Sequence, residues 1–478
     1  MSLQTIQIAV FLFVTALIAF ATYLKCRGTR VNANSNKEYF LAGGGLSWVF
    51  VAGSITLTNL STDQLVGMNG NQMALLAWWE FAAVLGLVIL AKVFLPVYYK
   101  NDCTTTTELL EKRYNDKHIR ATISVMFLLG NVFIFLPSML YGGSLFMQSM
   151  FNIDTDIMIL ATLFGIIGAC YAVFGGLRAV AVSDTYSGIM LLGMGMLVVV
   201  LALIAIDFDF SGIPSERLTL IGANDSPIPW HTLLTGMIFI QIFYWSTNQT
   251  ITQRAMASPT LKEAQKGVLA AGAIRLLIIP PMIVLPGIVS YKLYGDIGDA
   301  AYGRIVGDIL PVWLSGMFAA AIAAAVLTSF NSILNSSTAL YVCDIHEKYI
   351  SEDPNVKKLS AIVTAVFVII ALFLVPVYAT SDSIINTVQE LYGLLSMPIL
   401  STFLVGLIFK NVDPRAMISA VVSGTGLYAF FTFEWSPTHY IHLMFVTLIF
   451  CVLFALVINS LVFGKRAELI FKQHKAYE

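Results

Sequence analysis

Two short polar stretches decide how this chain folds: Leu57-Thr58-Asn59-Leu60-Ser61, inside the apolar run 46–68, and Trp245-Ser246-Thr247-Asn248-Gln249, inside 232–252. In hydrocarbon, an unwound helix centre leaves backbone N–H and C=O groups without water, at a cost on the order of several kcal/mol each. Such a break persists only where the freed groups bind something. A single cluster of this kind reads as Ser, Thr and Asn bonding between packed helices. Two, at matching places in two halves of one chain, follow the pattern of a secondary transporter with its site at mid-membrane.

The rest of the chain agrees. It is 58% hydrophobic and 12% charged over 478 residues, with mean hydropathy +0.80. A soluble domain carries about 25% charged residues. Apolar runs long enough for a bilayer occur at 4–25, 46–68, 72–98, 119–150, 155–173, 179–206, 232–253, 264–292, 307–345, 358–379, 382–409, 413–433 and 440–463. The expectation is an all-α integral membrane protein of about 13 transmembrane helices. No cleaved signal peptide is legible, because no basic residue precedes the first span. A net charge of −1 argues against a nucleic-acid partner. Cys26, Cys103, Cys170, Cys343 and Cys451 show no CxxC spacing, and the six histidines lie mostly at or beyond span ends. No transition metal and no organic cofactor are expected.

Of 27 Lys and Arg, 22 fall in one set of loops (Lys25–Lys37, Lys100–Arg120, Arg178, Arg254–Lys266, Lys348–Lys358, Lys410–Arg415, Lys465–Lys475). Three (Arg217, Lys292, Arg304) fall in the opposite set, and two (Lys92, Arg275) within spans. By the positive-inside rule the N-terminus is outside and the C-terminus cytoplasmic, in a cell membrane.

The breaks fall in spans two and seven. Spans two to six and seven to eleven then make two five-helix units, and an odd repeat length turns the second upside-down. The expected organisation is a peripheral first helix and loop over 1–45, a first repeat over 46–206 and an extracellular loop over 207–231. A second, inverted repeat over 232–409 and a C-terminal pair of helices with a tail over 410–478 complete it.

Several residues carry chemistry inside this frame. Ala323-Ala324-Ala325 allows a close helix contact, with the hydroxyls of Thr328 and Ser329 just beyond it. Such a run by itself reads as helix packing. Paired with the carbonyls that the first break frees at Leu57 and Leu60, it offers the oxygen ligands that a hard cation such as sodium takes. Glu80 and Arg275 are intramembrane charges, which are costly and therefore point to function. Asp63 and Gln64 follow the first break, and Gln389-Glu390 lie in span eleven. Glu80 accepts from hydroxyls, Arg275 donates in a fork, and Gln64, Gln241 and Gln389 do both. Tyr244 or Trp245 offers an aromatic face to a sugar ring. A buried Glu80–Arg275 pair that locks helices is the plainer reading, and the two are compatible. Asp184, near the end of span six, caps the helix or attracts cations.

Glu38-Tyr-Phe-Leu-Ala-Gly43, Gln64-Leu-Val-Gly-Met68, the stretch Phe174–Asp184 with Gly-Gly-Leu-Arg-Ala-Val, Asn248-Gln-Thr-Ile-Thr-Gln-Arg254 and the stretch Ala323–Asp344 resemble the sodium:solute symporter family over residues 36 to 463. The resemblance is strongest to bacterial sodium/galactose symporters of its sodium/glucose cotransporter branch. It implies the inverted-repeat fold of the leucine-transporter type and alternating access driven by sodium. It further implies a sodium site made by the carbonyls of Leu57, Leu60 and Ala325 with Thr328 and Ser329. Sugar contacts would come from Gln64, Glu80, Gln241, Arg275 and Gln389, gating from Met68, Tyr244 and Ile385, and a sodium exit path past Asp184. Those sodium/galactose symporters carry Asn in place of Gln241, Lys in place of Arg275 and Ser in place of Ala83, so the pocket differs while the sodium ligands match.

The expected function is sodium-coupled import of a small neutral solute, a monosaccharide of galactose or glucose type. A family member for inositol, an amino acid, a nucleobase or an acidic sugar is the nearest rival. A channel or membrane-embedded enzyme is a rival of another class, and no nucleophile–base set supports the enzyme. The expected partners are the solute, sodium and membrane lipid.

Overall fold

The computed structural model describes residues 3–26, 39–352 and 354–470. Glu38 and the basic residues Arg27, Arg30, Lys37, Lys472 and Lys475 lie outside them, and the side chains of Asp63 and of Phe174 to Gly176 are likewise not described.

The fold is a helical bundle. Its first helix, α1 (Leu3–Cys26), leads to the broken pair α2 (Trp48–Asn59) and α3 (Thr62–Gly70). Then come α4 (Ala74–Lys100), the short α5 (Thr106–Tyr114), α6 (Lys117–Phe151) and α7 (Ile157–Ala205). The second broken pair is α8 (Gly236–Ser246) and α9 (Gln249–Met256). It is followed by α10 (Leu261–Tyr294), α11 (Ala301–Ile309) and α12 (Val312–Tyr349). The last four are α13 (Val356–Tyr378), α14 (Ile384–Ile408), α15 (Pro414–Phe433) and α16 (Tyr440–Leu461). Two two-residue strands, β1 (Phe409–Lys410) and β2 (Glu468–Leu469), pair antiparallel at the basic end.

Ten of these helices, among the described residues, are long and apolar enough to cross a membrane. The broken pairs stand where the sequence places them. α2 stops because Leu60 leaves helical geometry (φ −75°, ψ 66°), and α3 restarts from the extended Ser61. α8 stops at Thr247, and the side chain of Asn248 caps α9 by accepting from Thr250 N at 2.9 Å.

One element differs from expectation. The sequence predicts separate spans at 155–173 and 179–206, yet helical backbone runs from Ile157 to Ala205. Ile167 and Ser183, sixteen residues apart, both line one small cavity beside Thr328.

Close packing, not exclusion of water, holds helices together in lipid. At Gly188 on α7, an added Cβ would sit 2.3 Å from Leu57 Cδ2, so any larger residue would force the Leu57 side chain to move. Although most of its surface faces outward, α1 is fixed to α12. Gln7 donates to Ser315 Oγ at 2.8 Å, and Thr15, Ile18 and Ala19 cover a cavity that Thr328 and Asn331 line from α12.

Candidate functional site

A contracted cavity of about 60 Å³ lies between the two breaks. Gln64 and Met68 reach it from α3, Glu80 from α4, Gln241, Tyr244 and Trp245 from α8, and Ile385 and Gln389 from α14. Helical spacing explains the α8 set, since residues three and four apart share a face. Glu390 does not line the cavity.

Arg275 does not line the cavity. It stands behind Glu80 and is wholly buried, forming an ion pair with that carboxylate. Its guanidinium also donates to Asn59 Oδ1 and lies over the Trp245 ring at 4.5 Å. Gln64 donates to the other Glu80 oxygen. Gln241 accepts from Trp245 Nε1 at 2.8 Å and donates to the Trp79 carbonyl at 3.1 Å. In this conformation much of the polar wall is bonded within itself, while Gln64 Oε1 and Ser396 Oγ are buried without a hydrogen-bond partner, so an entering solute exchanges some bonds and supplies others.

The second cluster lies on the other side of α2. Ser329 Oγ donates to the Leu57 carbonyl at 3.0 Å, and Thr328 Oγ1 to the Ala325 carbonyl at 3.2 Å. Thr58 and Ser332 hydroxyls meet at 3.2 Å, again between α2 and α12. The Thr328 hydroxyl adjoins the carboxylate of Asp184, whose Oδ2 accepts from Ser54 Oγ at 2.5 Å. Arg254 Nε donates to the same Ser54 oxygen at 2.9 Å. The other Asp184 oxygen, Oδ1, is buried with no hydrogen-bond partner. An unpaired buried acceptor costs about 1–3 kcal/mol and more when charged, and the buried Arg254 guanidinium supplies the nearby positive charge. Neutral oxygens with one nearby carboxylate suit a hard monovalent ion. Among the described residues, no three His, Cys, Asp or Glu side chains gather as a metal site.

Asn59 joins the two clusters, and sequence reasoning missed it as a site residue. It sits two residues after Leu57, takes a bond from Arg275 and donates to Tyr244 OH at 3.0 Å. Its presence in a break was the available signal. Tyr392, which also lines the cavity and whose hydroxyl accepts from Asn248 Nδ2 at 3.3 Å, left none.

Comparison with known proteins fits this geometry. A substrate-bound, outward-open sodium-coupled sialic acid symporter superposes with a TM-score of 0.82 over 95% of this chain and 98% of its own, at 18% identity, a likeness of fold. The sodium:solute symporter family model matches residues 39–424, and the chain belongs to that family. It is a sodium-coupled, multi-pass membrane transporter of a small solute, and not an enzyme. The uncharacterised symporter YidK of Escherichia coli is 33% identical over 93% of this chain and 81% of its own length. The sodium/glucose cotransporter of Vibrio parahaemolyticus is 30% identical, over 94% and 89%. Sodium/myo-inositol cotransporter 2 of Mus musculus is 27% identical, over 88% and 69%.

Proposed function

We propose that the transported solute is a neutral polyol, a monosaccharide of the galactose or glucose type, carried inward with sodium by alternating access. The observation that carries this reading is the charge balance of the wall. The one carboxylate among the described lining residues, Glu80, is already paired with Arg275. No cation is left over to hold a carboxylate, which disfavours acidic sugars and amino acids. The lining amides and Glu80 match hydroxyl groups, and Tyr244 and Trp245 offer ring faces. The Vibrio sodium/glucose relative supports the sugar, and the mouse myo-inositol relative makes that cyclic polyol the second reading.

In this reading Gln64, Glu80, Gln241, Gln389, Tyr244 and Trp245 contact solute, and Arg275 holds Glu80 in place. Met68, Tyr244 and Ile385 gate the cavity. Leu57, Leu60, Ala325, Thr328 and Ser329 bind sodium, which leaves past Asp184. The units 46–206 and 232–409 act as inverted repeats flanked by 1–45, 207–231 and 410–478. The basic face is cytoplasmic, with the N-terminus outside the cell membrane. The test is sodium-driven uptake of labelled galactose, glucose, myo-inositol, sialic acid and proline into proteoliposomes. Uptake of a neutral polyol that halts without the sodium gradient is expected. Uptake of sialic acid or proline alone would refute the reading.

A further inference from the structure

A second concavity lies outside the solute cavity, toward the basic end of the bundle. It is a groove of about 480 Å³ between α6 and α15, and its wall is almost entirely carbon. Ligand sites range over about 300–1,000 Å³, so it is large enough to hold part of a molecule. From His118 to Leu129 one stripe of α6 lines it. Eleven helical steps at 1.5 Å span roughly 16 Å, close to half of a hydrocarbon core about 30 Å thick. The groove is therefore one leaflet deep. Val125 and Leu129 are 44% exposed and Val422 is 64% exposed, so it opens sideways toward lipid.

Its mouth is polar and basic. The Tyr349 hydroxyl meets His118 Nδ1 at 2.8 Å, and both residues line the opening. The exposed Lys117 places Nζ over the Tyr349 ring at 4.9 Å. Arg415, at the foot of α15 two turns below Val422, has a 72% exposed side chain. The acids here are occupied. Asp116 caps α6 by accepting from Ile119 N at 2.8 Å, and Asp413 is bound by Arg415 and by Lys465 at 3.0 Å.

We propose that this groove binds an anionic glycerophospholipid, with one acyl chain along α6 and α15 and its phosphate at Lys117 and Arg415. A leaflet-deep apolar slot ending in exposed cations is complementary to that molecule and not to a neutral lipid or a peptide. The site bears on transport through α14. Leu395 forms the floor of the groove, and Tyr392, one turn earlier on the same helix, lines the solute cavity. Both pack on Gly130 of α6.

The test uses the full chain in nanodiscs of phosphatidylcholine carrying a minor fraction of phosphatidylglycerol, with native mass spectrometry counting retained lipids. The wild type should retain phosphatidylglycerol over phosphatidylcholine by at least about fivefold, roughly what one near-surface basic residue supplies. The double variant Lys117→Gln with Arg415→Gln should lose that preference, and Val422→Trp, which fills an exposed position, should lose the retained lipid. A preference that survives the double variant overturns the headgroup assignment. Retention untouched by Val422→Trp overturns the groove. A lipid-free dimer cross-linked through α6 and α15 would give the face to a second copy of the chain.

Discussion

The two helix breaks look alike in sequence and are wired differently. The first is held from outside. Leu57 O is bound by Ser329, Thr58 meets Ser332, and Asn59 bonds to Arg275 and Tyr244, all on other helices. The second is held by other partners, on α4, α5 and α14: Tyr98 OH donates to Ser246 O at 2.9 Å, Ser246 Oγ to Gly86 O at 3.1 Å, Thr106 N to Gln249 Oε1 at 2.7 Å and Asn248 Nδ2 to Tyr392 OH at 3.3 Å. Thr247 N and Asn248 N both donate to Phe243 O, at 3.1 and 3.3 Å, and the Asn248 side chain caps its own following helix. A break satisfied by removable partners answers to whatever occupies the neighbouring site. In the proposed reading sodium coupling belongs to the first break, because its outside partners include Ser329 and Ser332 of α12, whereas those of the second lie on α4, α5 and α14.

The strongest challenge to this contrast is Glu80→Gln, which leaves Arg275 buried without its counter-charge. Losing one partner of a buried pair costs about 3–5 kcal/mol. Solute binding is expected to be nearly abolished and the melting temperature lowered. If adding Arg275→Met restores both fold and uptake, the pair only locks helices. Next come Thr328→Ala and Ser329→Ala. Each removes a bond to a charged ligand, about 1.5–3 kcal/mol, so the sodium needed for half-maximal uptake should rise at least about tenfold. Unchanged sodium dependence in both would remove the ion from the first break.

Tyr244→Phe loses the Asn59 bond and keeps the ring. About 1 kcal/mol is at stake, so coupling of solute affinity to sodium should weaken several-fold, and Tyr244→Ala should lose more. A Phe variant with wild-type coupling, read from solute Kd with and without sodium, would leave Asn59 without a role. The smallest effect is expected at the second break. Asn248→Ala removes a helix cap worth about 1 kcal/mol, which should lower the melting temperature while sodium affinity stays put. A sodium shift as large as that of Ser329→Ala would erase the distinction between the breaks.

Much of this was legible before any coordinates. Polar residues in apolar runs located both breaks, and the hydroxyl pair at Thr328 and Ser329 announced itself by following three alanines. Long-range pairing was harder. Glu80 and Arg275 lie 195 positions apart, and nothing in either span says that the arginine faces the carboxylate and not the cavity. Asn59 was hidden in plain view, because a residue that breaks a helix looks like punctuation. The continuous backbone of α7 was invisible because two glycines before a basic residue resemble a loop.

The outermost helix has a consequence of an electrical kind. α1 covers the face of α12 where Thr328 and Asn331 turn toward the bundle surface. Asn331 is wholly buried there, and neither of its amide atoms has a partner. In this position α1 acts as insulation around the helix proposed to hold sodium. Stripping residues 1–26 should admit lipid and water to that polar face and give a solute-independent sodium leak, measurable as a membrane current in otherwise intact proteoliposomes. A truncated chain that stays tight to sodium would show that α12 insulates itself.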